Sequence, residues 1–334
     1  QIQAIGEIAE EDLIQKEDTV ITLTQGGYIK RINPATYKIQ KRGGKGIVGM
    51  KTLGEDIVEH FLYGQTHDSL MVFTDSGKVF QIPVYEIAEG TRVSKGRGLL
   101  NFVDIASQDK VLNIFALGKQ DIQAGVKHLV MVTKDGIAKK TPLEDFKSAR
   151  RSGLIAITLK KGDLLKSVRK TTGEDDIIIA TKNGQSIRFK ESQVRAMGRQ
   201  AAGIRSIRLK KGDEVVGMDV VESQKLKVKN QKLENDYFLV LSENGYGKRT
   251  DVKEYRVQSR GGSGIKTANV TQKIGKLAYV KVLAGDEEDL IVISRKGQVI
   301  RTPVASIPKI SRSTQGVRMM RMDEGDKVAS AACL

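Results

Sequence analysis

Tryptophan is absent from the 334 residues, and there are only five prolines, three histidines and one cysteine, Cys333. A single thiol cannot build a disulfide framework or a cysteine zinc cluster, which fits a reducing, cytoplasmic compartment. His60, His67 and His128 are scattered, with no carboxylate or cysteine at ligand spacing, so neither a metal site nor a catalytic histidine is expected. No apolar run approaches the roughly 20 residues of a membrane span, and no signal peptide opens the chain. The chain begins at Gln1 rather than Met, as a fragment or processed product would. Aromatic residues make up 5%, too few for a platform on which single-stranded bases stack. Helical periodicity is missing as well. "PVYEI" and "PLEDF" can form one-turn helices at most.

What the chain has in quantity is glycine, 34 residues, and many of them recur at regular intervals. The segments "TLTQGGYIKR", "VFTDSGKVFQ", "MVTKDGIAKK", "IATKNGQSIR", "VLSENGYGKR" and "VISRKGQVIR" share a β-rich run, a Thr or Ser, two residues, a Gly and a second run. Their glycines, Gly27, Gly77, Gly136, Gly184, Gly245 and Gly297, lie 50, 59, 48, 61 and 52 residues apart. Asp135-Gly136, Asn183-Gly184 and Asn244-Gly245 predict two-residue hairpin turns with positive φ at both positions. A second landmark, Gly46, Gly98, Gly153, Gly203, Gly264 and Gly316, follows 19, 21, 17, 19, 19 and 19 residues later, each time ahead of an aliphatic residue. A third is a Gly-Asp turn before another apolar run, as in "KGDLL", "KGDEVV" and "EGDKVA".

Each unit therefore reads as about four strands, and six such units predict an all-β, propeller-like disc of radial blades closing on themselves. Residues 1–17 read as a lead-in, and 18–334 as one domain with blades at about 18–65, 66–125, 126–173, 174–233, 234–285 and 286–334. The charged stretch 222–236 reads as a surface loop.

Lys and Arg number 56 against 40 Asp and Glu, a net charge of +16, which favours a polyanionic partner. The cations are also periodic. Four residues past each hairpin glycine stands Arg31, Gln81, Lys140, Arg188, Arg249 or Arg301, and the position before adds Lys30, Lys139 and Lys248. A second group precedes the second glycine: Arg42 and Lys45, Lys95 and Arg97, Arg150 and Arg151, Arg199, Arg260, and Arg312. No Asp or Glu occupies these positions, and equivalent positions in equivalent blades should face equivalent places. The expectation is a basic rim, suited to the phosphates of duplex DNA.

The stretch "IQKRGGKGIVGMK" at 39–51 contains Gly44-x-Gly46-x-x-Gly49, the spacing of a dinucleotide turn. That motif must open a helix, whereas "MKTLGEDIV" carries Gly54 and turns into a strand. A phosphate-binding loop fails on spacing, because Met50 stands where its lysine belongs. Gln40-Lys41-Arg42-Gly43-Gly44-Lys45-Gly46 instead resembles the seven-residue box of the DNA gyrase A family, and "EDLIQKEDTVITLTQGGYIKRI" resembles the start of that family's C-terminal domain. The resemblance runs over nearly the whole chain and implies a six-bladed β-pinwheel, in which neighbouring blades exchange strands.

It further implies a domain that wraps duplex DNA with positive handedness around its rim and lets the parent enzyme introduce negative supercoils. The implied partners are DNA, the B subunit of an A2B2 holoenzyme, and the rest of its A subunit; the isolated domain is expected to be a monomer. No cofactor is expected in this chain, since ATP, Mg and the cleaving tyrosine act elsewhere in the family, and no Tyr here follows an Arg as that one does. The domain alone is expected not to be an enzyme. Gly43 and Gly44 also suit a loop that latches first and last blades together. Unit five carries a degenerate copy of the box, Gln258-Ser259-Arg260-Gly261-Gly262-Ser263-Gly264. The alternatives are a propeller-type protein–protein scaffold and the equivalent domain of topoisomerase IV, in which the box is usually missing or degraded.

Overall fold

The repeated Thr/Ser-x-x-Gly segment closes its own turn. In the computed structural model, which describes residues 13–34, 56, 58–91, 94–223, 236–283, 289–296 and 298–333, the N–H of Gly27 donates to the Thr24 carbonyl at 2.9 Å. The Thr24 hydroxyl accepts from the N–H of Tyr28 at 3.0 Å. Thr133, Thr181 and Ser242 make the same pair of bonds, to Gly136 and Ile137, Gly184 and Gln185, and Gly245 and Tyr246. Strand Asp18–Thr24 ends and Tyr28–Ile32 begins around a three-residue loop. One left-handed glycine completes it, with φ of 82° at Gly27. The turns are therefore a residue longer than the two-residue form expected from Asp-Gly and Asn-Gly. The Gly-Asp landmark serves this turn too. The carboxylates of Asp163, Asp213 and Asp326 accept backbone N–H bonds from Asp135, Asn183 and Lys296 at 3.0 to 3.1 Å, tying the start of each inner strand to its hairpin.

Six antiparallel sheets stand radially in a ring, the six-bladed propeller. In the first, Val58–Gln65, Asp18–Thr24, Tyr28–Ile32 and Arg97–Gly98 lie side by side from the centre outward. The outermost strand comes from the following unit. The same exchange places Leu154–Ile155, Ile204–Arg205, Ile265–Lys266 and Val317–Arg318 at the outside of the next four blades. The sixth sheet has three strands among the described residues, Val328–Cys333, Asp289–Ser294 and Val299–Pro303. Among the described residues helix is confined to Lys119–Gln123 and single turns, including Val84–Glu86 and Leu143–Phe146 within the two segments expected to make them.

Both faces of an interior blade are covered by neighbours, which explains why its central strand is apolar throughout. Leu70 and Val72 pack with Ile21, Leu23 and Ile29 of the first blade, whereas Met71 and Phe73 pack with Leu129 and Met131 of the third. The inner strands surround a central cavity. There the Asp219 carboxylate accepts from Arg169 at 2.9 Å and from the Val282 N–H at 2.8 Å, joining three neighbouring inner strands.

The second glycine landmark holds at Gly153, Gly203, Gly264 and Gly316 and shifts in the second unit, while Gly46 of the first lies outside the described residues. Gly203, which opens the outer strand Ile204–Arg205, has φ +90°, and a Cβ there would lie 2.5 Å from the Ala138 carbonyl oxygen. In the second unit that role belongs to Gly96, with φ +83° and a Cβ position 2.5 Å from the Ile29 oxygen. Gly98, expected from the sequence, has φ −59°. Arg97 pairs with Ile29 as Ile204 pairs with Ala138. The irregular 21-residue spacing thus becomes the regular 19.

Candidate nucleic-acid interface

The cations just past the hairpin glycines point between blades. Lys30, Lys139 and Lys248 are 4%, 0% and 0% exposed, so none contributes charge to a rim. The Lys248 ammonium donates to the carbonyls of Ser311, Arg312 and Thr314 at 2.8, 2.6 and 3.0 Å. Lys30 donates to Thr91 and Ser94 at 2.9 and 2.6 Å. Lys139 donates to Ala156 at 2.6 Å and to the Arg199 carbonyl. In all three the acceptors include the loop that delivers an outer strand from the next unit. Burial pushes the ammonium of Lys139 and of Lys248 down to about 8, and that of Lys30 down as well. A buried charge needs such acceptors.

The next position reaches forward to the single-turn helix of the following unit. Arg31 donates to the Ile87 carbonyl at 2.9 Å and pairs with Glu89 at 3.3 Å. Arg188 donates to Val252 and Tyr255 at 3.0 and 3.3 Å and pairs with Asp176 at 2.7 Å. Arg249 donates to Ile307 and Ala305 at 2.9 and 3.0 Å. Lys140 lies 3.8 Å from the buried Glu191 carboxylate, whose pKa burial raises. Gln81 bonds to Ser69 of its own sheet. Arg301 alone of this set is exposed, beside Asp289 of its own sheet. The expectation of a rim built from these residues is corrected for Lys30, Lys139, Lys140, Lys248 and Arg249, which are buried. Spacing identified equivalent positions correctly. In a ring, however, both faces of a sheet meet neighbouring blades, and only its outer edge meets solvent.

The second group does reach that edge. Lys95, Arg97, Arg150 and Arg151 are exposed, and Arg199, Arg260 and Arg312 are half-buried. Lys95 stands 3.9 Å over the Tyr28 ring, and Arg151 pairs with Glu86. The box, Gln40 to Gly46 with Lys41, Arg42 and Lys45, lies outside the described residues. Three exposed cations were missed by the sequence reading: Arg205, Lys266 and Arg318, each the second residue of an outer strand. Arg208 and Arg321, also exposed, follow shortly after. The signal was present two residues past the second glycine in units four to six. The equivalent in unit three is Ile155, 45% exposed, so the track carries no outer-strand charge on the second blade.

These cations stand at the far end of the first five sheets from the central cavity, along the outer edge of the disc. Their spread suits a long polyanion rather than a small one. Among the described residues no group of three or more His, Cys, Asp or Glu could hold a metal ion. No helix among them is long and apolar enough to cross a membrane.

Comparison with known proteins gives one answer. The family described as "DNA gyrase C-terminal domain, beta-propeller" matches residues 18–62, 68–116, 127–172, 175–222, 236–284 and 288–334. The DNA gyrase A subunit of Staphylococcus epidermidis is 41% identical over 332 residues, 99% of this chain, and that of Staphylococcus aureus 40%. This chain spans 36% of the length of each. The solved DNA gyrase A C-terminal domain superposes with a TM-score of 0.74 at 25% identity, covering 95% of this chain and 99% of that one. The C-terminal domain of DNA topoisomerase IV shares the fold, with a TM-score of 0.76 at 23% identity over 96% and 94% of the two chains. With six matched segments covering most of its length, this chain belongs to the DNA gyrase A C-terminal domain family.

Proposed function

We propose that the domain binds duplex DNA without sequence preference and bends it around the outer edge of the disc. In this reading it supplies the positive-handed wrap that lets a DNA gyrase introduce negative supercoils. The observation that carries the proposal is the set of exposed cations at the edges of successive blades, Arg97, Arg150, Arg205, Lys266 and Arg318. Energetics favour such a distributed surface. Bending some 40 base pairs through half a turn costs on the order of 10 kcal/mol elastically. Contact at a single non-specific patch contributes only about 6 to 8 kcal/mol. One patch binds without bending, whereas cations spread over the blades offset the bend as it grows.

In the same reading the chain is a non-catalytic part of a cytoplasmic A2B2 enzyme. Cleavage and ATP hydrolysis fall to the B subunit together with the remainder of the A subunit, which hold any Mg and ATP. The box at 40–46 and the 41% identity to gyrase A favour this over a topoisomerase IV domain. A gel shift run beside a linking-number assay on DNA circles tests it. A wrapping domain retards DNA and changes linking number, and a protein–protein scaffold does neither.

A further inference from the structure

Three half-buried arginines of the edge make one and the same contact. Arg199 donates from Nη1 to the carbonyl of Ile155 at 3.1 Å, and Arg312 from Nη1 to that of Lys266 at 2.8 Å. Arg260 donates from Nη1 to the carbonyl of Arg205. Each acceptor is the second residue of an outer strand. Each donor stands four residues before the glycine that opens the next outer strand, Gly203, Gly264 or Gly316. The contacts therefore run in series. Arg199 joins Leu154–Ile155 to the entry of Ile204–Arg205, Arg260 joins that strand to the entry of Ile265–Lys266, and Arg312 joins that one to Val317–Arg318.

These are the outer strands of four successive blades, and the arginines link them where the blades are farthest apart. Unit three breaks the pattern: Ala149 stands at this position, and its spacing is 17 rather than 19.

We propose that Arg199, Arg260 and Arg312 are positioning residues: they fix the distance between neighbouring outer strands, and so the curvature of the track along which DNA is bent. The inference rests on the bending reading above. Its mechanics are those of two springs in series. A bent duplex strains to straighten and pulls on the blades that hold it, and a rim whose edges can splay yields before the duplex does. A guanidinium suits the task because its five N–H donors sit in a rigid planar fork. One holds a carbonyl while others remain to face a phosphate. A lysine carries the same charge as one compact ammonium on a flexible stem, and cannot hold the strand and the phosphate in fixed relation.

The test substitutes Arg199→Lys, Arg260→Lys and Arg312→Lys together, which leaves net charge unchanged. We expect affinity for a duplex too short to bend to stay within about twofold, with the same salt dependence. Linking-number change per bound domain should fall to a minor fraction. Without DNA, amide exchange should quicken at Ala156, Ser206 and Thr267, whose N–H groups hold the outer strands to the carbonyls of Gly77, Gly136 and Gly184. A different pattern is expected of Arg208→Ala, Lys266→Ala and Arg321→Ala together, which leave the three arginines in place: short-duplex affinity falls and its salt dependence flattens, while amide exchange at Ala156 and Ser206 stays at the wild-type rate.

Full wrapping by the lysine variant, or a loss of short-duplex affinity as large as the loss of wrapping, overturns the positioning role. Unchanged amide exchange overturns it whatever DNA does. A wild-type domain that leaves linking number unchanged sinks the bending reading instead, and the exchange measurement still decides whether the arginines are spacers. Should the triple variant not fold, each single lysine variant is expected to speed exchange at its own outer strand alone, and a uniform response overturns the inference.

Discussion

The ammonium of Lys248 lies 2.6 Å from the carbonyl oxygen of Arg312, so one periodic cation holds the backbone of another. The pair divides the labour that the sequence pattern merged. Lys248 is fully buried and organises the loop, while Arg312 stands half-exposed at the edge.

Lys139→Met and Lys248→Met are accordingly expected to lower stability with little direct effect on phosphate binding. Each leaves buried carbonyls without a donor, at about 1 to 3 kcal/mol per site. Chemical denaturation should show midpoints shifted down, while the slope of log affinity against log salt stays at the wild-type value. A fall in that slope with unchanged stability would place these lysines on the DNA instead.

The same two lysines predict a pH effect of definite sign. Their folded pKa values are about 8, below the ordinary 10.5, because burial disfavours the ammonium. Between those values the unfolded chain holds more protons than the folded one, so their contribution to stability rises with pH across that window. Below about pH 8 the full cost of burying the charge is present. The difference in denaturation midpoint between wild type and the double Met variant should therefore grow between pH 8 and 10.5. Parallel curves would show that the lysines keep their ordinary pKa.

Gly96→Ala and Gly98→Ala should behave very differently, although one residue separates them. At Gly96 a methyl group meets the Ile29 carbonyl at 2.5 Å with φ at +83°, and a cost of roughly 1 to 3 kcal/mol follows from the conformation alone. At Gly98 the nearest atom is the Asn101 amide nitrogen at 3.6 Å, and the substitution should be close to neutral. Equal melting temperatures for the two variants would contradict the register that pairs Arg97 with Ile29.

This pair also marks how far the sequence could be read. Six units, their hairpins, the near-absence of helix and the one-turn helices all follow from local chemistry: a Thr hydroxyl, a left-handed glycine, an Asp accepting backbone N–H groups. Choosing between Gly96 and Gly98 needed φ, because both flank Arg97 and only the wrong one precedes an aliphatic residue. Locating the cations needed the ring itself. Lys139 and Arg205 are both basic and periodic, yet one lies between blades and the other at an edge.

Arg205→Ala, Lys266→Ala and Arg318→Ala together should weaken binding and flatten its salt dependence, by up to about 0.9 in the log–log slope for each phosphate that is no longer neutralised. The fold should persist, since all three side chains are exposed. An unchanged slope would move the DNA path off the outer strands.

Lys41, Arg42 and Lys45 of the box are expected to anchor the end of the DNA path. Arg42 stands four residues before Gly46, as Arg199 stands before Gly203. Replacing all three with Ala is expected to abolish wrapping while most of the binding remains. Cations at other blade edges, Arg97, Arg150, Arg205 and Lys266 among them, still attract phosphate. Bending is more demanding than binding, because its elastic cost accumulates with angle and is completed only if contact persists to the end of the path. Losing an anchor there should release the duplex onto a straighter course. A complete enzyme carrying the three substitutions should lose supercoiling and keep ATP-driven relaxation. Gel shift and circle topology, measured on the same preparation, decide the matter. Intact wrapping, or wrapping and binding lost together in a folded domain, would remove the box from this role.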